Sequence, residues 1–228
     1  MQKLRALALA AAIGSFSAGC TTASSSADHH PPTAQSVPAT QPVADAGWQS
    51  LFDGKTLGNW KATDFGGQGE VKIEKGELIL SRGDSLTGIT WQGKVPAKMN
   101  YEIELDAKRV DGSDFFCGLT FPVNDSCASL ILGGWGGGIC GISSLDDEDA
   151  VRNETMSVQK FTDGKWYHIR LRVVPNEIMA WIDKDSIVDV ETKGKKISVR
   201  SEVDPSQPLG IATYQTTGAI KNIRIRKL

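Results

Sequence analysis

The sequence lacks features that several classes of protein need. The formal net charge is -2, from 25 Lys and Arg against 27 Asp and Glu, so there is no basic field to hold nucleic acid. The only long apolar run is N-terminal and too short to cross a bilayer as a mature helix, which argues against a membrane-embedded protein. With 24 Gly and 9 Pro, the sequence predicts one turn-rich globular domain with appendages.

Histidine is also scarce. Two of the three histidines, His29 and His30, are adjacent in an N-terminal low-complexity stretch, and His168 is the only one in the rest of the chain. A site with two histidine ligands is therefore excluded from the domain, and a metal would need oxygen or thiolate ligands. The acidic run Asp146 to Asp149 offers oxygens for a divalent cation, although a solvated acidic loop is the alternative. We therefore predict no cofactor and leave a divalent cation open.

Four cysteines divide into one near the N-terminus, Cys20, and three in the domain, Cys117, Cys127 and Cys140. An odd number in the domain allows at most one internal disulfide, and small buried apolar residues are the alternative. Catalysis by a cysteine nucleophile would need a paired histidine, for which only His168 is available.

The N-terminus has the pattern of an export signal. Lys3 and Arg5 precede an apolar run from Ala6 to Phe16, and three small residues then lead directly to Cys20. This pattern resembles a bacterial lipoprotein signal over residues 1–19, in which the cysteine becomes the lipidated N-terminus. We expect an exported cell-envelope lipoprotein, facing the periplasm or on the outer membrane, that touches the membrane only through its lipid anchor. An ordinary secretory leader is the alternative.

Residues 20–46 differ in composition from the rest of the chain. They are rich in Ser, Thr, Ala and Pro, with no large aromatic residue and no periodicity. Such a segment cannot bury enough apolar surface to order itself. We therefore predict a linker that tethers a domain spanning residues 47–228.

The domain sequence has the period of β-strands. Apolar residues at 101, 103, 105 and 107 alternate with charged residues, and the same alternation over 167–173 leaves His168, Arg170 and Arg172 on one polar face. Pro175 and Asn176 then predict a hairpin turn into a strand over 177–183. The other predicted strands are 69–75, 77–82, 88–92, 115–121, 128–133, 138–143, 155–161, 209–214 and 220–227. The pattern predicts an all-β sandwich of two antiparallel sheets.

Four segments carry a family resemblance. They are WQSLFDGKTLGNW at 48–60, GKWYHIRL at 164–171, AWID at 180–183 and KNIRIR at 221–226. Together they resemble the 3-keto-disaccharide hydrolase domain family, also described as 3-keto-glucoside 1,2-lyase and 3-keto-2-hydroxy-glucal hydratase domains, over residues 48–228. The resemblance implies a concanavalin-like jelly-roll sandwich and a role on sugars oxidised at C3.

That chemistry needs two kinds of group. A ketone at C3 acidifies the proton on C2, so a base can remove it, the enolate can expel the C1 substituent, and water can add to the product. A base working near neutral pH and a cation or donor that holds the enolate oxygen are therefore required. We predict His168 as the base and Arg170 as the stabiliser. The alternative is that both are half-exposed strand residues with ordinary partners.

Two aromatic residues are candidates for substrate binding. Trp135 lies among six glycines in the segment 131–141, where it could form an exposed platform for a sugar ring or pack inward at a bulge. Tyr214 is the second candidate. We expect these two residues to share one face with His168 and Arg170, with the run Asp146 to Asp149 at its rim.

Two functions remain open from the sequence. The family typically carries a Gln-Asp-His type of turn before the last strand, whereas the segment 214–218 here reads YQTTG, with neither Asp nor His. One hypothesis is an envelope-tethered enzyme that hydrolyses or eliminates the glycosidic bond of 3-keto-glycosides. The other is a non-catalytic, concanavalin-like carbohydrate-binding module. In both cases the partner is a carbohydrate.

Overall fold

The computed structural model describes residues 47–228. The predicted signal, Cys20 and the whole of the predicted linker lie outside these residues. Within the described part, no helix combines the length and apolar character that crossing a bilayer would require.

The described residues form strands joined by turns, with one short 3₁₀-helix at Ser201–Ser206 and one irregular helical turn at Gly134–Gly137. The strands are β1 (Gln49–Ser50), β2 (Trp60–Ala62), β3 (Val71–Glu74), β4 (Glu77–Leu80), β5 (Leu86–Trp91), β6 (Tyr101–Gly112), β7 (Cys117–Val123), β8 (Ser126–Gly133), β9 (Ile139–Ser143), β10 (Ser157–Val158), β11 (Trp166–Val174), β12 (Glu177–Ile182), β13 (Asp185–Glu191), β14 (Gly210–Tyr214) and β15 (Thr216–Lys227).

The strands form two antiparallel sheets, and the predicted all-β sandwich is confirmed. Sheet A has the order β13-β12-β11-β6-β15-β4-β3, with β1 also paired to β15, and sheet B has the order β10-β9-β8-β7-β14-β5-β2. The sequence does not predict β1, β2 or β13. The first two are only two and three residues long, and the seven residues of β13 include three acidic ones, so none shows a clear apolar alternation.

The core lies between the sheets and follows the predicted alternation. The residues at 101, 103, 105 and 107 on β6 are buried, and they pack in one apolar cluster with side chains from sheet B such as Phe121 and Leu130. The buried Tyr101 hydroxyl donates a hydrogen bond to the Pro122 carbonyl oxygen on β7, at 2.6 Å. This bond satisfies a polar group that burial would otherwise leave unpaired, and it links the two sheets.

The outer face of sheet A is polar, as the alternation predicts, but its carboxylates are not solvated. Glu102 is fully buried and Glu104 is 8% exposed. Arg172 donates to one Glu102 oxygen at 2.7 Å, and Arg226 donates to the other at 2.6 Å. Burial alone would raise the pKa of Glu102, but these hydrogen bonds outweigh it and hold the pKa below its usual value.

The three described cysteines are free and buried. Cys117 on β7 and Cys140 on β9 both pair with Leu132 on the strand between them, so their Cα atoms are about 10 Å apart, too far for a disulfide. Burial raises the pKa of both thiols to about 12. These cysteines therefore act as small apolar residues, and the described part of the chain contains no disulfide.

Candidate functional site

Two cavities in the described part of the chain combine polar and aromatic side chains. The first, called the aromatic pocket here, has a volume of about 280 Å³ and lies on the outer face of sheet B. The second, called the histidine pocket, has a volume of about 410 Å³ and lies on the outer face of sheet A. The aromatic pocket is lined by Leu86, Asp114, Phe115, Ile131, Trp135, Ser143, Arg200, Glu202, Val203 and Tyr214. The histidine pocket is lined by Trp48, Ser50, Phe52, Asp106, His168, Asn222, Ile223 and Arg224.

The four predicted site residues are divided between the two sheets. Trp135 and Tyr214 line the aromatic pocket, His168 lines the histidine pocket, and Arg170 lines neither. The expectation that the four share one face is therefore wrong. The physical reason is topological, since His168 and Arg170 lie on β11 of sheet A, whereas Tyr214 lies on β14 of sheet B and Trp135 follows β8 of the same sheet.

A pair of stacked rings forms the floor of the aromatic pocket. The rings of Phe115 and Tyr214 have centroids 5.9 Å apart and planes inclined by 25°. Gly118 makes this possible, because a Cβ atom there would lie 3.0 Å from the Phe115 ring. Aromatic faces of this kind suit the apolar C–H face of a sugar ring.

Trp135 forms one wall of the aromatic pocket and is 39% exposed. The structure thus shows the exposed alternative rather than inward packing. Gly136 has a left-handed φ of 89°, which a glycine adopts without cost. Trp135 has a φ of 49°, a value that residues with a side chain seldom adopt. The turn is held by a hydrogen bond from the Gly136 N–H to Asp114 Oδ2 at 3.1 Å and by one from Arg109 Nη1 to the Gly137 carbonyl oxygen at 3.3 Å.

A guanidinium group between two carboxylates forms the polar wall of the aromatic pocket. Arg200 donates from Nη1 to Asp149 at 2.5 Å and from Nη2 to Glu202 at 2.6 Å. The hydrogen bond from Arg200 lowers the pKa of Glu202, and the same bond raises the pKa of Arg200. Glu202 is therefore ionised at neutral pH, which makes it a good hydrogen-bond acceptor and a weak base.

Asp114 supplies a further carboxylate. Its Oδ1 accepts a hydrogen bond from the Phe115 N–H at 2.8 Å, in addition to the bond from Gly136. The Asp114 N–H donates to Thr216 Oγ1 at 3.0 Å, so the turn that carries threonines in place of the expected Asp and His borders this pocket. The lining residues of the pocket thus include aromatic faces and anionic acceptors but no histidine.

Five polar or aromatic members of the aromatic pocket are not predicted from the sequence, namely Asp114, Phe115, Ser143, Arg200 and Glu202. Asp114 directly precedes two aromatic residues at 115 and 116, and this pattern could have indicated the pocket. Only one of two successive extended residues can face the core, so one of the two rings has to lie on the outer face beside the carboxylate. Arg200 and Glu202 lie in and beside a 3₁₀-helix, where no periodicity marks the residues that face a cavity.

The histidine pocket contains a histidine whose ring is hydrogen-bonded to an aspartate, an arrangement typical of a histidine that acts as a general base. His168 and Asp106 are direct cross-strand partners, with 2.9 Å between Nδ1 and Oδ1, and Asn222 donates to the other Asp106 oxygen at 2.6 Å. An ionised carboxylate assigns the proton to Nδ1, which leaves Nε2, 3.8 Å from Glu104, as the proton acceptor. The predicted base thus has a partner that orients its ring.

The arginine that lines the histidine pocket is not the one that was predicted. Arg170 lies over the Trp181 ring at 4.1 Å, on the same sheet but outside the lining residues. Arg224 lines the pocket instead, where it contacts Glu104 at 2.7 Å and lies 4.6 Å from the Trp48 ring centroid. Asp106, Asn222 and Arg224 are not predicted as site residues, because the alternation places them on the polar face without specifying which strands pair or in what register.

The acidic run Asp146 to Asp149 forms ion pairs. Asp146 lies 3.8 Å from Lys195, Asp147 lies 2.7 Å from Lys196, and Asp149 binds Arg200 at the edge of the aromatic pocket. Within residues 47–228, His, Cys, Asp and Glu side chains form no group of three or more that could hold a metal ion.

Comparison with known families gives one match that covers most of the chain. A family model described as 3-keto-alpha-glucoside-1,2-lyase-like domain matches residues 47–226. No curated protein has a significantly similar sequence.

Solved structures with the same fold are distant in sequence. A candidate glycosyl hydrolase from Parabacteroides distasonis is 14% identical with a TM-score of 0.52, covering 80% of this chain and 94% of the other. A Bacillus subtilis protein of unknown function with a galectin-like fold is 9% identical, with a TM-score of 0.53 and coverages of 75% and 90%. The Crh5 transglycosylase in complex with NAG is 12% identical, with a TM-score of 0.54 and coverages of 80% and 84%. These likenesses support the concanavalin-like sandwich.

Proposed function

Since the chain belongs to the family of 3-keto-alpha-glucoside-1,2-lyase-like domains, we propose that it binds a glycoside ring in the aromatic pocket, with sugars oxidised at C3 as the class that the family indicates. The observation that carries this proposal is the Phe115 and Tyr214 stack beside the exposed Trp135. The N-terminal pattern adds the proposal that binding takes place at the cell envelope, which membrane fractionation of the expressed protein would test.

The pocket offers complementary contacts to the two sides of a sugar ring. The stacked rings suit the C–H face of the sugar, while the oxygens of Asp114 and Glu202 can accept hydrogen bonds from its hydroxyl groups. A cavity of about 280 Å³ is sized for one ring rather than a long chain. Both carboxylates already accept hydrogen bonds from protein donors, and a carboxylate held in this way is a weak base. The geometry of this pocket therefore favours sugar binding over proton abstraction.

Replacing Trp135 with alanine tests this proposal. We expect about tenfold weaker binding of a 3-keto-glucoside or its parent glucoside, because one ring contact is lost, and a change in unfolding free energy below about 0.5 kcal/mol, because the side chain is exposed. Isothermal titration calorimetry and thermal denaturation measure the two quantities. Trp181→Ala, on sheet A, is the matched control and should bind like the wild type. Equal affinity in Trp135→Ala and the wild type would refute the binding site.

A second candidate function is the elimination reaction itself, placed in the histidine pocket. The observation that favours it is the contact between His168 and Asp106 beside a cavity of about 410 Å³. In this reaction His168 Nε2 takes the C2 proton of a 3-keto-glycoside, and the electron pair forms an enolate with the C3 oxygen. The C1–O bond then breaks, the departing alkoxide takes a proton, and water adds across the new C1=C2 bond.

His168→Asn tests the second candidate, since an amide cannot act as the base. We expect release of the aglycone from a 3-keto-glycoside to fall about a hundredfold, with the melting temperature little changed. Arg224→Ala, assayed in parallel, tests the arginine that lines this pocket, and its loss should also slow release. Arg170→Ala, outside the lining residues, should not. Turnover that persists in His168→Asn, or that disappears with Trp135→Ala instead, would move the chemistry to the aromatic pocket.

A further inference from the structure

We infer that the aromatic pocket selects its sugar by charge, binding amino sugars more tightly than neutral sugars and excluding uronic acids. This inference rests on the proposed function of that pocket and specifies the class of ligand that it takes. The observation behind it is an excess of negative charge in and directly behind the lining of the pocket.

Three carboxylates lie in or directly behind the pocket lining, together with a single guanidinium group. Asp114 and Glu202 line the pocket together with Arg200, and Asp149 binds Arg200 from behind. One positive charge against three negative ones leaves the site with a net charge of about -2 at neutral pH. The neighbouring Arg109 does not offset this charge, because it is paired with Asp163 at 2.5 Å.

Arg200 is poorly placed to receive an acidic ligand. Its Nη1, Nη2 and Nε groups all donate to Asp149 or Glu202. Three of its five N–H donors are used in this way, so a ligand carboxylate would find at most two donors and would face the neighbouring carboxylates at the same time. Uronic acids therefore meet repulsion at the position where a free arginine would have attracted them.

An ammonium group on the ligand is attracted by the same pocket. Each Asp114 oxygen accepts one backbone hydrogen bond, and a carboxylate oxygen has a second lone pair that a ligand ammonium can use. Trp135, Tyr214 and Phe115 add aromatic faces to the same cavity, and such faces attract cations. Carboxylates and rings therefore favour the same sign of ligand charge.

Binding of three methyl glycosides that share one ring tests the inference. The probes are a methyl glucoside, the corresponding methyl glucosaminide and the methyl glucuronide, titrated by calorimetry below the pKa of the sugar amine so that it carries its charge. We expect the glucosaminide to bind about tenfold tighter than the glucoside and the glucuronide about tenfold weaker. Because the pocket is open to solvent, added salt should bring the affinities of the glucosaminide and the glucuronide closer to that of the glucoside.

Charge-removing variants assign the effect to this pocket. Asp114→Asn should lower the preference for the glucosaminide severalfold while the glucoside still binds, and Glu202→Gln serves the same purpose if the first variant fails to fold. Glu74→Gln is the control, since Glu74 is an exposed carboxylate on β3 of sheet A, and it should leave all three affinities unchanged.

The outcomes separate the inference from the proposed function. If the glucoside binds and depends on Trp135, but the glucuronide binds as tightly as the glucoside, the charge inference is overturned and the proposed function stands. If none of the three sugars binds, both fail. A preference for the glucosaminide that Glu74→Gln abolishes, while Asp114→Asn leaves it intact, would place the effect elsewhere and overturn the inference.

Discussion

Phe116→Ala is expected to destabilise the domain by about 3–5 kcal/mol, the cost of deleting a fully buried aromatic ring. Phe116 has no solvent exposure. Its ring lies 4.9 Å from that of Phe161 and 6.2 Å from that of Tyr167. Because these neighbours belong to different parts of the chain, they cannot collapse fully into the cavity that alanine would leave. Chemical denaturation followed by tryptophan fluorescence measures the loss.

The preceding residue is the matched control. Phe115 is partly exposed and stacks on Tyr214 in the aromatic pocket, so Phe115→Ala should cost only about 1 kcal/mol of stability. It should instead weaken sugar binding. Two alanine substitutions at adjacent residues would thus separate stability from recognition. Similar unfolding free energies for the two variants would show that the assignment of one ring to the core and the other to the pocket is wrong.

Glu102→Ala is expected to destabilise the domain by about 3 kcal/mol. Removing one partner of a buried ion pair leaves uncompensated charge, which typically costs about 3–5 kcal/mol. The low end applies because the side chains of Arg172 and Arg226 remain about a third exposed and can reach water. Urea denaturation at neutral pH measures the change. Glu74→Ala is the control, since its partner Lys72 is exposed, and it should lie within about 0.5 kcal/mol of the wild type.

The stability lost in Glu102→Ala depends on pH. Because the pKa of Glu102 in the folded protein is below its ordinary value of 4.5, its ionised form contributes stability that is fully present above that value. This contribution is lost as the pH falls through the lowered pKa of the folded state. The difference in stability between the wild type and Glu102→Ala should therefore narrow below about pH 4.5. A difference that stays constant or widens in acid would contradict the role given to the two arginines.

The fold could be predicted from the sequence because it depends on local periodicity. Alternation in the segments that became β6 and β11 identified which side chains face the core, and a two-residue period is typical of a strand with one buried face and of little else. The short strands β1 and β2 escaped notice because two or three residues cannot display a period. Their pairing is decided by neighbouring strands that are distant in sequence.

Individual site residues could be predicted from the sequence, but their grouping into two pockets could not. His168 and Asp106 are 62 positions apart, and Arg200 and Asp149 are 51 positions apart. Such pairs arise from sheet order and register, which a single sequence does not encode in a readable pattern. The alternation correctly placed His168 on a polar face. It could not show that Trp135 and Tyr214 belong to the other sheet.

Asp114 holds the backbone of the Trp135 turn and also lines the proposed sugar site. Any ligand that engages this carboxylate therefore acts on the same group that orders the turn, and the two equilibria are thermodynamically linked. The amide proton of Gly136 then becomes a label-free reporter of occupancy, since its exchange with solvent reflects how firmly Asp114 is held.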